Sequence, residues 1–352
     1  MSQPFFTVGV TTYNRRELLR QTLMSILDQT FSDFEVIVGN DYPYEVLTCD
    51  HLGISDPRIR IVNHPVNLKE VGNMNALLAM ASGRYFTWLA DDDLYDPDFL
   101  RISWNLLITN DLPAAVFSSY RIFHGTETPR LEAITGGTVS ELTGREFLNR
   151  YFSSRLKLIG VYGLFETEQL RSLVQGVEEL CESGVGLYGE YIFLVRCALF
   201  DRIVYIDAPL ILYRGHAASW SATNIELEKY LCAGQELIRR CGEVLRNPLF
   251  SDDFDDNLEA ICKLHLTAFA GKAVAIEIAG EKYGLGAACR SLSRFYEEAK
   301  KIKSVLIREK NSDGVSIVWF FAWIHLKGFY LIFGEHTLKW LRNLLKMKQP
   351  KF

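Results

Sequence analysis

Residues 84–93 read RYFTWLADDD, an apolar run that ends in three consecutive carboxylates. The run Arg84–Ala90 predicts a buried strand, since aromatic and β-branched residues fit a pleated surface. Upstream, Glu70–Ala81 is rich in Ala, Leu and Met and predicts a helix. Arg58–Asn63 (RIRIVN), Phe34–Gly39 (FEVIVG) and Phe5–Thr12 predict three more strands. After Phe5–Thr12, Asn14 stands three residues before Glu17, a capping-box pattern, and apolar residues then recur at helical spacing. Downstream, Asp96-Pro97 predicts a helix with Pro at its first position. Such alternation implies a mostly parallel sheet with helices on both faces. Ligands of open parallel sheets bind beyond the carboxyl ends of the strands. Thr12, Asp41 and Asp91–Asp93 all fall at such ends, so they are expected to converge on one crevice.

Composition narrows the field. The chain has 352 residues, 48% hydrophobic and 23% charged, which supports a sizeable core and excludes wholesale disorder. The net charge of −5 argues against nucleic acid as a partner. It is unevenly spread: residues 301–352 carry ten Lys/Arg against three Asp/Glu, leaving −12 on the first 300 residues. Seven scattered cysteines with no CxxC suggest neither a zinc knuckle nor a redox pair, and read as reduced thiols. No apolar run behind a basic start marks a signal peptide.

Beyond the first 113 residues the pattern is mixed. Ala114–Phe123 reads as a strand, Glu190–Leu199 as a helix, and Arg202–Asp207 and Leu210–Arg214 as two short strands around Pro209. From Asn224 the signals are helical. Val315–Phe333 is nearly continuously apolar, and a basic amphipathic stretch with Lys339, Arg342, Lys346 and Lys348 follows it. With Trp319, Trp323 and Trp340 as interfacial anchors, this end predicts a helix pair lying in a membrane interface. A domain-closing hairpin or a homodimer contact would use the same apolar residues.

Three adjacent carboxylates repel one another unless a cation sits among them. A hard divalent ion, Mg²⁺ or Mn²⁺, answers that need, and few protein ligands suffice when a substrate phosphate supplies the rest. A solvated acidic turn is the plain alternative. A phosphatase reading fails because no Thr stands four residues after Asp91 or Asp92. A Walker-type phosphate loop, GxxxxGK[ST], is absent.

Two stretches together, VGVTTYNRRELLRQTLMSILDQTFSDFEVIVGND (8–41) and NLKEVGNMNALLAMASGRYFTWLADDD (67–93), resemble the nucleotide-sugar-binding half of a family-2 glycosyltransferase with the GT-A fold. A weaker resemblance runs through YGEYIFLVR (188–196) to YRGHAASWS (213–221). It implies a GT-A, Rossmann-like α/β sheet flanked by helices. Residues 1–113 would be its nucleotide-sugar half and 114–222 its acceptor and catalytic half. Residues 223–352 would form a C-terminal helical region.

The resemblance also implies roles. Thr11, Thr12, Tyr13, Asn14 and Arg15 would border the nucleotide. Asp41 would bond the base, with Asn40 standing where the family usually has a second acid. Asn67 is kept, and Asn75 would position a ribose or a turn. Met74 stands where the family usually has Arg. Asp91 would lie near the ribose and Asp92 on the metal, with Asp93 as alternative ligand and His216 as a further one. Tyr213 and Arg214 would flank the phosphates, Trp220 would line the cleft, and Gly163–Glu166 would shape the acceptor pocket. Glu190 falls at the place of the general base, with Glu182 and Glu179 as weaker candidates. The expected activity is inverting, metal-dependent transfer from a nucleotide-diphosphate sugar, UDP- or dTDP-linked. The acceptor would be a saccharide or a lipid-linked saccharide in surface-polysaccharide assembly. The expected location is cytoplasmic, peripheral at the inner face of the cell membrane. A non-catalytic nucleotide-sugar-binding scaffold at the membrane is the alternative.

Overall fold

The computed structural model describes residues 3–125, 129, 136–181, 188–215, 227–280, 282, 285–309, 320, 322–326 and 328–336. It divides into two compact units, residues 1–219 and 220–352.

The first unit holds a nine-stranded sheet among its described residues. Four strands form its parallel half in the order β3-β2-β1-β4: β1 Phe6–Thr12, β2 Phe34–Asn40, β3 Ile59–Asn63 and β4 Tyr85–Ala90. Helices α1 (Arg16–Leu27), α2 (Cys49–Leu52) and α3 (Lys69–Met80) connect them. β1, β2 and β4 are buried along most of their length, as strands covered by helices on both faces are. Val8, Val36, Val38 and Leu89 are fully buried in one core cluster with Leu19, Leu23 and Ile26 of α1.

The strand pair β5 (Leu94–Tyr95) leads to α4 (Phe99–Thr109) and β6 (Ala115–His124). β7 (Val139–Leu142), α5 (Gly144–Phe152), a 3₁₀ turn Gly160–Tyr162 and β8 (Leu164–Glu166) follow. A helical segment over residues 167–174 is α6, and α7 spans Gly189–Cys197. β9 (Ile203–Gly215) runs parallel to β6 and antiparallel to β5 and β7. The short β8 joins the two halves, antiparallel to both β4 and β6.

Four local expectations are corrected. Asn14 is not a helix cap: it takes the left-handed conformation at φ 54° and Arg15 is the N-cap. Asn tolerates that region, and the chain turns sharply there on leaving β1. The helix after Pro97 begins at Phe99, because pairing of β5 with β9 and the bond from Asp96 N–H to Leu210 O hold the chain extended. Residues 203–215 form one strand, not two. Pro209 sits at a register shift opposite Ser119, where a missing N–H is tolerated. Leu164–Glu166, expected in a loop, is β8.

The second unit is helical in all its described elements: α8 Leu227–Leu245, a 3₁₀ turn Pro248–Asp253, α9 Phe254–Ala279 and α10 Leu285–Glu309. Residues 320, 322–326 and 328–336 are also helical. Gly234 of α8 lies against the His265 ring of α9, with a Cβ there falling 2.0 Å from the ring, so only Gly permits this approach. His265 bonds Glu298 of α10 at 2.9 Å, both fully buried. No helix among the described residues is long and apolar enough to cross a membrane. Residues 310–319 and 337–352, with Trp319, Trp340 and the basic stretch, lie outside the described residues.

The cysteines correct a fifth expectation. Cys49, Cys197, Cys241, Cys262 and Cys289 are free, whereas Cys181 and Cys232 are disulfide-bonded. Wide spacing in the sequence excludes only local motifs such as CxxC.

Candidate active site

The register of the parallel strands brings the expected residues together. Thr12, Asn40 and Ala90 end β1, β2 and β4, so the Asp41 and Asp91 that follow lie at one rim of the sheet. Asp41 N–H donates to Thr12 O, tying the ends of β1 and β2. Thr12 Oγ1 donates to Asp91 Oδ2 at 2.7 Å, tying β1 to β4. Arg15 Nη1 reaches both neighbouring acids, 2.9 Å from Asp92 Oδ2 and 3.4 Å from Asp91 Oδ1. Burial pushes Asp91 up to about 6, with the neighbouring Asp92 adding to the rise and Thr12 and Arg15 opposing it.

Beside the acids an open cleft is lined by Thr12, Asn14, Arg15, Asn40 and Tyr42, among others. Tyr13, nearly half exposed, meets Tyr42 edge-on with ring centroids 5.3 Å apart. Asp41 is buried; its Oδ1 accepts the Leu68 N–H at 2.7 Å. Burial raises its pKa, while the Leu68 N–H and His64 lower it. Asn40, where the family pattern has an acid, bonds Asn63 Oδ1 and Glu45 O through its amide nitrogen. It therefore braces the loop after β2. Thr11 lies within β1, in register with Gly39 of β2 and Ala90 of β4, and Asn67 is exposed with Oδ1 accepting the Lys69 N–H.

Asp93 differs from its two neighbours. Its Oδ1 accepts the Arg214 backbone N–H at 2.7 Å and its Oδ2 accepts the Tyr162 hydroxyl. It is 1% exposed, and burial drives its carboxyl up to about 7. Each oxygen thus accepts one bond inside the protein, so Asp93 braces the turn after β4 against β9. Arg214 is likewise drawn inward. Its Nε donates to Asp92 O, Nη1 to Gly125 O and Nη2 to Gln21 Oε1, and its guanidinium lies over the Phe123 ring. That set of acceptors corrects the expectation that Arg214 flanks phosphates. Tyr213, on the same strand, packs edge-on to Tyr120.

Asn75 resolves toward the turn. Its amide nitrogen donates to Val177 O and its oxygen accepts the Val177 N–H, at 2.8 and 3.0 Å. Both ends are thus used on one backbone position, which removes the ribose role. Gly163 is fixed by packing: an added Cβ would fall 2.6 Å from the Phe117 ring and 2.7 Å from Phe165.

Glu190 lies in the first turn of α7, where a helix favours an acid. Its Oε1 accepts the Gly160 N–H at 2.7 Å. Burial raises its pKa; the Gly160 N–H opposes this and Glu70 adds to it. Further along α7, Arg196 pairs with Glu178 at 2.8 Å. His216, Trp220 and Glu182 lie outside the described residues.

A hard divalent ion takes carboxylate oxygens and needs only one or two from protein when phosphates complete its shell. Asp91 and Asp92 fit that requirement: they stand side by side at the rim and already attract one cation, Arg15. Among the described residues no three His, Cys, Asp or Glu side chains gather as a complete metal cage.

Sequence reasoning missed Tyr162, Gln21 and Glu178. Each acts through a partner far along the chain, and none sits in a motif that would single it out.

Residues 7–168 match the family model described as glycosyl transferase family 2. An uncharacterized glycosyltransferase of Haemophilus influenzae is 34% identical over 122 residues, covering 34% of this chain and 38% of that protein. A Campylobacter jejuni protein named GalNAc(5)-diNAcBac-PP-undecaprenol beta-1,3-glucosyltransferase is 29% identical over 201 residues, 55% of this chain and 63% of that one. The chain thus spans less than two thirds of either curated relative. The crystal structure of S. aureus TarS 1–349 in complex with UDP-GlcNAc superposes with a TM-score of 0.60 at 14% identity, over 85% of this chain and 83% of that one. At such identity the likeness speaks for the fold, which agrees with the sheet described above. Residues 7–168 of this chain are thus similar to glycosyl transferase family 2, and their sheet has the GT-A arrangement.

Proposed function

We propose that the protein is an inverting, metal-dependent glycosyltransferase that moves a sugar from a nucleotide-diphosphate donor to the hydroxyl of a saccharide or lipid-linked saccharide. The observation that carries this reading is the convergence of Thr12, Arg15, Asp41, Asp91 and Asp92 at the carboxyl rim of β1, β2 and β4. An acceptor-only carboxylate such as Asp41 suits the N–H edge of a pyrimidine base, which favours UDP- or dTDP-sugars. Tyr13, Asn14 and Asn67 border the nucleotide. Asp92, with Asp91 beside it, holds the Mg²⁺ or Mn²⁺, and His216 is kept as a further ligand. The ion supplies charge neutralisation for the leaving diphosphate.

Glu190 is the general base. The acceptor oxygen bonds to the anomeric carbon, the bond from that carbon to the diphosphate oxygen breaks, and the acceptor proton passes to the Glu190 carboxylate. Tyr213 and Gly163 line the side where the acceptor enters.

The acceptor is lipid-linked and the protein works peripherally at the inner face of the cell membrane, in surface-polysaccharide assembly. Two observations support this. The Campylobacter relative is named for an undecaprenol-linked substrate. Leu326, Phe329 and Tyr330, at helical spacing, are exposed by 75%, 54% and 71%, just before the basic stretch 337–352. Apolar residues on one helix face beside Lys/Arg suit an anionic lipid surface.

The test is release of nucleoside diphosphate from a panel of nucleotide sugars, in the presence of polyprenyl-diphosphate-linked saccharides. One donor is expected to be turned over by the native protein and by neither Asp92→Asn nor Glu190→Gln. Nucleotide binding without turnover, unaffected by Glu190→Gln, would favour a scaffold instead.

A further inference from the structure

We propose that Arg15 is a mobile counter-cation that neutralises Asp91 and Asp92 before the donor binds and moves onto the donor diphosphate when the divalent ion takes its place. This rests on the metal-dependent reading above.

Four observations carry it. Arg15 Nη1 sits between the two acids, so it occupies the position a bound ion would need at Asp92. The acids do not depend on Arg15 for their placement: Thr12 Oγ1 holds Asp91 Oδ2, and Arg214 Nε holds the Asp92 carbonyl. The two arginines differ in freedom. Arg214 is 3% exposed and all three of its guanidinium nitrogens donate to protein acceptors. The Arg15 side chain is 35% exposed and, among the described residues, bonds the two acids alone, so it can leave toward solvent. Finally, Arg15 itself lines the open cleft beside the acids, together with Asn14 and Tyr42. A guanidinium is the side chain best shaped for bidentate contact with phosphate oxygens. Arg15 is already at the rim and needs only to change partners.

The consequence is opposite effects on two ligands. Removing Arg15 frees the acids for metal but deprives the diphosphate of a donor. The experiment is titration of Mn²⁺ by electron paramagnetic resonance, alone and with pyrophosphate, on the native protein, Arg15→Gln and Arg15→Lys. Without pyrophosphate, Arg15→Gln is expected to bind Mn²⁺ about tenfold tighter than the native protein, the scale of one charge-assisted bond no longer broken. With pyrophosphate, it is expected to hold the Mn²⁺–pyrophosphate pair about tenfold more weakly. Arg15→Lys, which keeps the charge, is expected to fall between. Equal Mn²⁺ affinity in the native protein and Arg15→Gln, or a loss in both arms, would overturn the role of Arg15 and leave the metal-dependent reading standing. Absence of Mn²⁺ binding in every protein and both arms would overturn both.

Discussion

Tyr162 donates its hydroxyl to the carboxylate of Asp93, 69 residues away, from within the same 3₁₀ turn whose first residue, Gly160, donates its N–H to Glu190. One short turn therefore touches the acidic run after β4 on one side and the proposed base on the other. The turn thus ties the rim of β4 to the proposed base.

Loss of the Tyr162 hydroxyl leaves a buried Asp93 oxygen without its donor. An unsatisfied buried acceptor costs about 1–3 kcal/mol. Tyr162→Phe is expected to lower the unfolding free energy by that amount, read as a lower denaturant midpoint at an unchanged slope. A midpoint equal to that of the native protein would show that the bond contributes nothing.

Glu190→Gln keeps the shape and the bond from Gly160 N–H but cannot accept a proton. Transfer is expected to fall by about 10²–10⁴-fold while donor affinity stays the same. In the native enzyme the base works as the carboxylate, so kcat/KM falls as pH drops through its pKa. Burial raises that pKa, so the acid limb is expected above the ordinary carboxylate range. A pH–rate profile with no limb there would place the base elsewhere.

The helical unit carries a separate pH signature. Arg290 and Arg294 bond the Glu277 carboxyl, which is 2% exposed, at 2.9 Å each, and the Arg290 bond does most to hold its pKa below the usual range. The unfolded chain binds that proton more tightly, so the contribution is complete above the ordinary carboxylate pKa. It is lost as pH falls through the depressed value. Glu277→Gln is expected to cost about 1 kcal/mol at neutral pH, given that both arginines are partly exposed. The cost should shrink in acid; a constant cost from neutral to acid pH would contradict the linkage.

Membrane association is tested on the exposed face. Leu326→Asp with Tyr330→Asp, in the full chain, is expected to abolish flotation with anionic vesicles and leave the thermal midpoint unchanged, since both side chains are exposed. Flotation equal to that of the native chain would rule this face out.

Much of the parallel half was legible in the sequence. Buried parallel strands are continuous apolar runs, and Phe34–Asn40 or Tyr85–Ala90 stand out as such. The acids at their ends followed from the same reading. What escaped was set by distant partners. Asp93 and Asp92 are equivalent neighbours in the sequence, yet Tyr162 and the Arg214 backbone claim Asp93 alone. Arg214 and Arg15 are both cations near one acidic run, and only the position of Gln21 and Gly125 decides which of them is locked. Asn75 kept its family position but serves a turn at Val177. Residue type announced the chemistry; which oxygen was already taken depended on the fold.

The central claim is that Asp92 and its neighbours hold a metal and a nucleoside diphosphate together. The most direct measurement is a thermal-shift titration of the native protein and Asp92→Asn with UDP, dTDP, GDP and CMP, each with and without Mn²⁺. Stabilisation is expected from one diphosphate, requiring Mn²⁺ and vanishing in Asp92→Asn, and approaching about 2.7 kcal/mol at a hundredfold excess over Kd. Failure of every nucleotide to stabilise the native protein, with or without Mn²⁺, would contradict it.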